Sequence, residues 1–134
     1  AASKNIYKIE SMILIATPLD FSGIFPGLDQ GNLMNLNDDD IFDAMEIPLK
    51  NRFIKELFST DMISAVKKIK SPTLLIHGRM DQVVNFSNLN AYIKNTTFPC
   101  SSLVIEDGDH NLTRDSDINS ITEKVTWWLG KYKL

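Results

Sequence analysis

The chain has 134 residues, of which 43% are hydrophobic and 23% are charged, a composition typical of a single globular domain. Its 14 Lys and Arg residues and 17 Asp and Glu residues give a net charge of -3. This balance provides no general attraction to phosphate groups or anionic lipids. We therefore expect neither a nucleic acid nor a membrane surface as the partner.

The sequence also bears on the cellular compartment. The longest apolar run, Met12 to Ala16, is much shorter than the roughly 20 residues of a membrane-spanning helix. The first residues do not show the basic and then apolar pattern of a signal peptide. Cys100 is the only cysteine, so no disulfide can form within the chain. Together these features favour a cytoplasmic protein.

Three short, continuous apolar runs predict β-strands. They are Ser11 to Ala16, Thr73 to His77 and Ser102 to Ile105. A strand that is apolar at successive positions is buried on both faces, as in a parallel sheet covered by helices. We therefore predict an α/β fold with three inner parallel strands.

Apolar residues at helical spacing lie between and after these strands. They predict helices over Asp61 to Ile69 and Ser87 to Asn95, and a last helix that is capped by Asp117 and ends at Gly130. Trp127 lies at the border of the apolar stripe of the last helix. The stripe itself comprises Ile118, Ile121, Val125, Trp128 and Leu129.

The segment from about residue 19 to residue 60 interrupts this pattern with Pro, Gly, Asn and Asp residues. A structureless loop of this length is improbable in a compact domain, so we predict a functional insertion such as a lid or cap. Within it, Ile41 to Ile47 is a candidate strand and Lys50 to Phe58 a candidate helix. Its apolar side chains form either a small satellite core or the lining of an acyl- or aryl-binding pocket. The candidates for substrate binding are Phe21, Phe25, Leu28 and Met34.

Two residues with catalytic potential follow neighbouring predicted strands. Asp81 comes shortly after the second strand and His110 shortly after the third. Ligands and catalytic groups gather at the carboxyl ends of parallel strands, so these two side chains are expected to meet. A carboxylate that accepts the Nδ1 proton of a histidine leaves Nε2 free to act as a general base. His77, at the end of the second strand, is interpreted as structural, with its ring hydrogen-bonded locally.

The order of these motifs resembles the C-terminal part of the α/β-hydrolase fold. The sequence shows HGxxDxxV over His77 to Val84, then a predicted helix and strand, then Gly108-Asp109-His110. In that family the triad acid follows strand seven and the histidine follows strand eight, which the resemblance carries over to Asp81 and His110. Residues 8–18 are similar to strand six, and residues 49–84 resemble the small feruloyl and acyl esterases of this fold.

The family's nucleophile motif, GxSxG, does not occur in these 134 residues. Ser3 lacks the flanking glycines and lies too close to the first strand. We expect the chain to be a C-terminal portion of an α/β-hydrolase whose nucleophile and oxyanion donors come from an upstream segment, so that the chain alone is inactive. A partial sheet also exposes a strand edge, which favours self-association or pairing with the missing half.

The resemblance implies a serine hydrolase that acts on a small carboxylic ester or thioester. Two other readings stay open: a degenerate or truncated module that acts in protein interaction, and an enzyme of the same fold with an Asp nucleophile. No cofactor is expected. The acidic residues near His110 do not have the spacing of a calcium loop, so no metal is expected either.

Overall fold

The computed structural model describes residues 9–21, 23–25, 27–28, 30–33, 35–44 and 47–132. Two sets of residues discussed above, Met34 and the N-terminal segment that includes Ser3, lie outside these ranges. The elements in chain order are β1 (Met12–Ile15), α1 (Gln30–Leu33), β2 (Ile41–Ala44), β3 (Ile47–Lys50), α2 (Asn51–Ser59), α3 (Met62–Lys68), β4 (Thr73–Gly78), α4 (Ser87–Asn95), β5 (Cys100–Ile105) and α5 (Asp115–Tyr132).

The main sheet is parallel, with the strand order β1-β4-β5. This confirms the α/β class and the three predicted parallel strands. Every residue of β4 is buried, as the apolar run predicts. β1 and β5 are only partly buried, so the prediction that all three are inner strands is wrong for these two. The reason is that each has a single neighbouring strand within the described ranges.

Helices cover both faces of the sheet because successive side chains of a strand point to opposite faces. Leu74 and Ile76 of β4 face α5 and form one core with Ile105, Leu112 and Trp128. The intervening side chain, Leu75, belongs to a second core on the side of α3 and α4. That core contains Val66, Leu75, Leu89 and Tyr92. The chain thus forms an α/β/α arrangement around β4.

The last helix differs from its predicted limits. It begins at Asp115 and runs through Gly130 to Tyr132. Asp117 lies inside the first turn, where its carboxylate accepts two hydrogen bonds from the Arg114 guanidinium at 2.8 and 2.9 Å. At the other end, the Tyr132 ring packs on Trp128 with 4.5 Å between centroids, which favours continuation of the helix past the glycine.

The predicted apolar stripe of α5 is only partly correct. Trp128 is fully buried and Trp127 is half-exposed, as expected. The helical spacing places Ile118 on the buried stripe, but 50% of its surface is exposed. In the same turn the polar residue Asp117 is 2% exposed, so the spacing of apolar residues alone misplaces the buried face at the start of the helix.

The predicted strand over residues 41–47 is instead an antiparallel hairpin of β2 and β3, in which Ile41 pairs with Lys50 and Ala44 with Ile47. Its apolar residues were too few to reveal the chain reversal. The predicted helix follows as α2. Aromatic and aliphatic side chains of this segment form a cluster separate from the two cores of the sheet. The cluster is built on Phe25, Leu33 and Ile54, with Phe21, Ile24, Leu28, Leu36, Phe42, Leu49, Leu57 and Phe58 packed against them.

A core role for Phe25 predicts a large effect on stability. Phe25 is 5% exposed, and its ring centroid lies 6.0 Å from that of Phe58 and 6.1 Å from that of Phe42. We expect Phe25→Ala to lower the free energy of unfolding by about 3–5 kcal/mol, measured by urea denaturation. The control is Phe53→Ala on the half-exposed side of α2, with an expected change within about 0.5 kcal/mol. Equal effects of the two substitutions would contradict a satellite core around Phe25.

Candidate active site

The turn after β4 holds Asp81 by its own backbone. One carboxylate oxygen, Oδ1, accepts the N–H groups of Val83 at 2.9 Å and Val84 at 2.8 Å. Asp is favoured in such turns because its short side chain reaches the amides two and three residues further along. The Asp81 side chain is fully buried. Oδ1 is therefore fixed by the backbone, and Oδ2 is left for other partners.

The loop after β5 presents His110 in a similar way. The Asp109 carboxylate accepts the N–H groups of Asn111 at 3.0 Å and Leu112 at 2.9 Å. Leu112 has a left-handed backbone with φ +51°, which is uncommon for a branched apolar residue. Its side chain is buried in the same core as Trp128. This burial offsets the backbone strain and anchors the loop just after His110.

Two glycines let the two loops come into contact. A Cβ atom placed on Gly78 would lie 2.3 Å from the carbonyl oxygen of Gly108 and 2.4 Å from that of Asp109. The Met80 N–H donates to the Gly108 carbonyl at 2.9 Å, and the Arg79 N–H donates to the Ile105 carbonyl at 2.9 Å. The backbone after β4 is thus bonded directly to the backbone after β5. This contact sets the distance between the acid and the histidine.

The structure brings Asp81 and His110 together at the carboxyl ends of β4 and β5. His110 Nδ1 lies 2.9 Å from Asp81 Oδ2. An ionised carboxylate only accepts hydrogen bonds, so Nδ1 carries the proton and Nε2 is left as the basic nitrogen. The imidazole is about one-third exposed, at 35%. A buried carboxylate therefore orients an imidazole that a reacting group can reach.

The surroundings of Asp81 favour its charged form. Burial by itself raises the pKa of this carboxyl group, but hydrogen bonds from His110 and from the amides of Val84 and Val83 outweigh burial. The net result is a pKa below its ordinary value of 3.8. At neutral pH the group is ionised, as is required of a residue that orients a histidine and stabilises the imidazolium.

His77 lies closer to the site than its predicted structural role requires. Its ring is hydrogen-bonded locally, as predicted, with Nε2 2.8 Å from the Val84 carbonyl oxygen. The same nitrogen is 3.3 Å from Asp81 Oδ2. This contact with the acid is not among the features predicted from the sequence. The signal was present in the HGxxD spacing, which places a histidine four residues before the acid in a strand-to-turn transition.

The candidate substrate-binding residues lie in the segment over residues 19–60, for which a cap is predicted. Phe25 is buried in the cluster described above, and Phe21 and Leu28 are partly buried against it. Two hydrogen bonds hold the start of this segment near the turn that contains Asp81. Asn88 Oδ1 accepts them from the N–H groups of Leu19 and Asp20 at 2.7 and 2.9 Å. A Cβ atom placed on Gly23 would lie 3.9 Å from the Val83 carbonyl oxygen. The start of this segment therefore passes next to the turn that holds Asp81.

A salt bridge also links the two loops at the surface. The Arg79 guanidinium pairs with both oxygens of Glu106, one of them at 3.0 Å, and lies 4.6 Å from the centre of the Phe86 ring.

Over the described ranges, no cluster of three or more His, Cys, Asp or Glu side chains is arranged to hold a metal ion. None of the helices in that part of the chain combines the length and apolar character needed to cross a membrane.

Solved structures similar to this chain are α/β-hydrolases. Est1E from Butyrivibrio proteoclasticus, with ferulic acid bound, is 20% identical with a TM-score of 0.74, and the match covers 92% of this chain and 50% of that chain. The esterase domain of a Rhodothermus marinus protein is 22% identical with a TM-score of 0.67, covering 90% and 51%. Mouse alpha/beta hydrolase domain-containing protein 10 is 16% identical with a TM-score of 0.69, covering 90% and 52%.

Comparison by sequence alone gives no match to a protein-family model or to a curated protein. The structural likeness nevertheless extends over most of the chain. This chain spans about half the length of the solved structures that it resembles. It therefore has a partial α/β-hydrolase fold, as the order of its motifs predicts.

The contact between the two loops predicts that Gly78 tolerates no side chain. We expect Gly78→Ala to lower the free energy of unfolding by about 1–3 kcal/mol, because the new Cβ would overlap backbone atoms that cannot rotate away. The matched control is Gly130→Ala in α5, where nothing lies within 4 Å of the added Cβ. This substitution should stabilise the helix by about 1 kcal/mol. A neutral Gly78→Ala variant would show that the loops are not held in this contact.

The lowered pKa of Asp81 predicts a dependence of stability on pH. Because the pKa is lower in the folded state than in the unfolded state, the charged carboxylate stabilises the fold above pH 3.8, and this stabilisation is lost as the pH falls through the folded value. The free energy of unfolding of Asp81→Asn should therefore decline less steeply between about pH 5 and pH 2 than that of the parent protein. Parallel curves from urea titrations of the two proteins would refute this assignment.

Proposed function

We propose that the complete protein is a serine hydrolase of carboxylic esters or thioesters, and that this chain contributes the acid Asp81 and the base His110 of its triad. The observation that carries the proposal is the 2.9 Å contact between His110 Nδ1 and the buried Asp81 carboxylate. This contact lies at the carboxyl ends of two adjacent parallel strands, where α/β proteins place their chemistry.

The proposed reaction uses the free nitrogen of His110. A serine from a segment outside this chain attacks the substrate carbonyl while His110 Nε2 takes the hydroxyl proton. The tetrahedral intermediate then collapses, the bond to the leaving alcohol or thiol breaks, and the imidazolium returns the proton to that group. Water hydrolyses the acyl-enzyme by the same transfers in reverse order. Asp81 stays ionised throughout and stabilises the imidazolium.

The proposal gains support from the rigidity of the acid. An acid that orients a histidine is effective only if its own geometry is preorganised. Both Asp81 oxygens are engaged, Oδ1 by two backbone amides and Oδ2 by His110. Solved structures with the same fold include the esterase domain of the Rhodothermus marinus protein and a metagenome-derived lipolytic enzyme.

For the substrate, we propose that the cap segment helps to form an acyl- or aryl-binding surface. The candidates are Phe21, Phe25, Leu28 and Met34. In support, the segment passes beside the Asp81 turn, and Phe21 and Leu28 keep part of their surface exposed. One protein of the same fold was solved with ferulic acid, an aromatic acid, in place. Phe25 contributes through the buried cluster, which supports the other side chains.

We further propose that the remainder of the hydrolase pairs with the edge of β1. Within the described ranges, β1 has β4 as its only neighbouring strand, and Ile15 near its end is 48% exposed. An unpaired strand edge is a ready site for another strand, from the remaining half or from a second copy of the chain. The single cysteine, Cys100, supports a cytoplasmic setting for this assembly.

The test is the activity of the full-length protein on an aryl ester. We expect His110→Ala to lower kcat by about 10⁴-fold and Asp81→Asn to have an effect of similar size, because the base is lost or wrongly oriented. The KM should change little. The control is Asp107→Asn, an exposed carboxylate in the same loop, with activity unchanged. Retained turnover by a folded His110→Ala variant would overturn the proposed function. An inactive parent protein would favour a non-catalytic interaction module.

A further inference from the structure

The chain contains two histidines, and the one outside the proposed triad, His77, is almost completely buried. It belongs to β4, and 2% of its surface is exposed. Burying a polar ring costs free energy unless its nitrogens find partners. An apolar residue would fill this position of the strand without that cost. Packing alone therefore does not explain why a histidine is buried at this position.

The partners of His77 belong to the turn that holds the acid. Nε2 lies 2.8 Å from the Val84 carbonyl oxygen, and a carbonyl only accepts, so this nitrogen is the donor. The same Nε2 lies 3.3 Å from Asp81 Oδ2, the oxygen that binds His110. The single N–H group thus sits between the end of the turn and the catalytic oxygen of the acid.

Val84, at the end of this turn, is held by hydrogen bonds through both its N–H and its carbonyl group. Val84 donates its N–H to Asp81 Oδ1 at 2.8 Å, while its carbonyl accepts from His77. The His77 ring is held in turn by the edge-on ring of Phe86, at 5.8 Å between centroids and 89° between planes. Loss of the Nε2 donor would leave the Val84 carbonyl unpaired and release one restraint on the carboxylate.

We propose that His77 is a positioning residue for the triad: its Nε2–H holds the Val84 carbonyl and the Asp81 carboxylate so that Oδ2 faces His110 Nδ1. His77 does not itself contact the reacting atoms. Its catalytic consequence rests on the proposed function, whereas its effect on the geometry of Asp81 and His110 does not. The two can therefore be tested separately.

The kinetic test compares three substitutions in the full-length enzyme. His77→Met removes the donor and replaces the ring with an apolar side chain of similar size. We expect kcat to fall by about 10²-fold with KM unchanged, as for a displaced catalytic group. The amide nitrogen of Gln reaches close to the position of Nε2, so His77→Gln should recover most of the loss. His77→Asn places its amide short of Val84 and should not recover it.

The spectroscopic test needs neither a nucleophile nor a substrate. The ¹⁵N chemical shifts of the His110 ring report which nitrogen carries the proton, at a pH where the ring is neutral. We expect the Nδ1–H form in the parent protein and in His77→Gln, and a mixture of both tautomers in His77→Met and His77→Asn. If the parent protein lacks esterase activity but these shifts appear, the proposed function fails and the positioning role stands.

Two results would overturn the positioning role. One is a folded His77→Met variant with parental kcat and an unchanged His110 spectrum. The other result applies if His77→Met does not fold. The comparison of His77→Gln with His77→Asn then decides the question, because both side chains carry a polar amide and differ in reach. Equal rates and equal His110 spectra for these two variants would then show that His77 only fills space.

Discussion

The site depends on one buried charge. The Asp81 carboxylate is ionised inside the fold, where an unpaired charge would be strongly destabilising. It is tolerated because backbone amides of Val83 and Val84 bind one oxygen and His110 binds the other. These same bonds fix the orientation of the carboxylate. The requirement to satisfy the charge and the requirement to orient the histidine are therefore met by one set of contacts.

The sheet supplies the frame in which these contacts can form. Parallel pairing of β4 with β5 brings the carboxyl ends of both strands to the same edge, with Gly78 opposite Ile105. The absence of a side chain on Gly78 then lets the backbones of the two following loops touch. Leu112 anchors the second loop in the core beneath α5. Core packing and the geometry of the candidate site are thus coupled through a few backbone atoms.

Much of the frame could be predicted because its signals are local. The run from Thr73 to His77 is apolar enough to identify a strand covered on both faces, and the acid and histidine follow their strands within a few residues. The errors arose where local signals compete with packing. The predicted strand over residues 41–47 belongs to two antiparallel strands, and the sequence between them has no decisive turn motif. Asp117 lies inside α5 and binds Arg114 instead of capping the helix. Ile118 is half-exposed while the neighbouring Asp117 is buried, which the spacing of apolar residues does not show.

The sequence by itself determined the fold class, the order of the strands along the chain, and the identities of Asp81 and His110 as candidates for acid and base. Hydrophobic period and motif order suffice for these because both are properties of neighbouring residues. Tertiary structure alone decided the 2.9 Å contact between the two side chains, the close approach at Gly78, and the place of His77 against the acid. Those distances arise from side-chain packing and backbone contacts between segments remote in sequence, to which no local pattern corresponds.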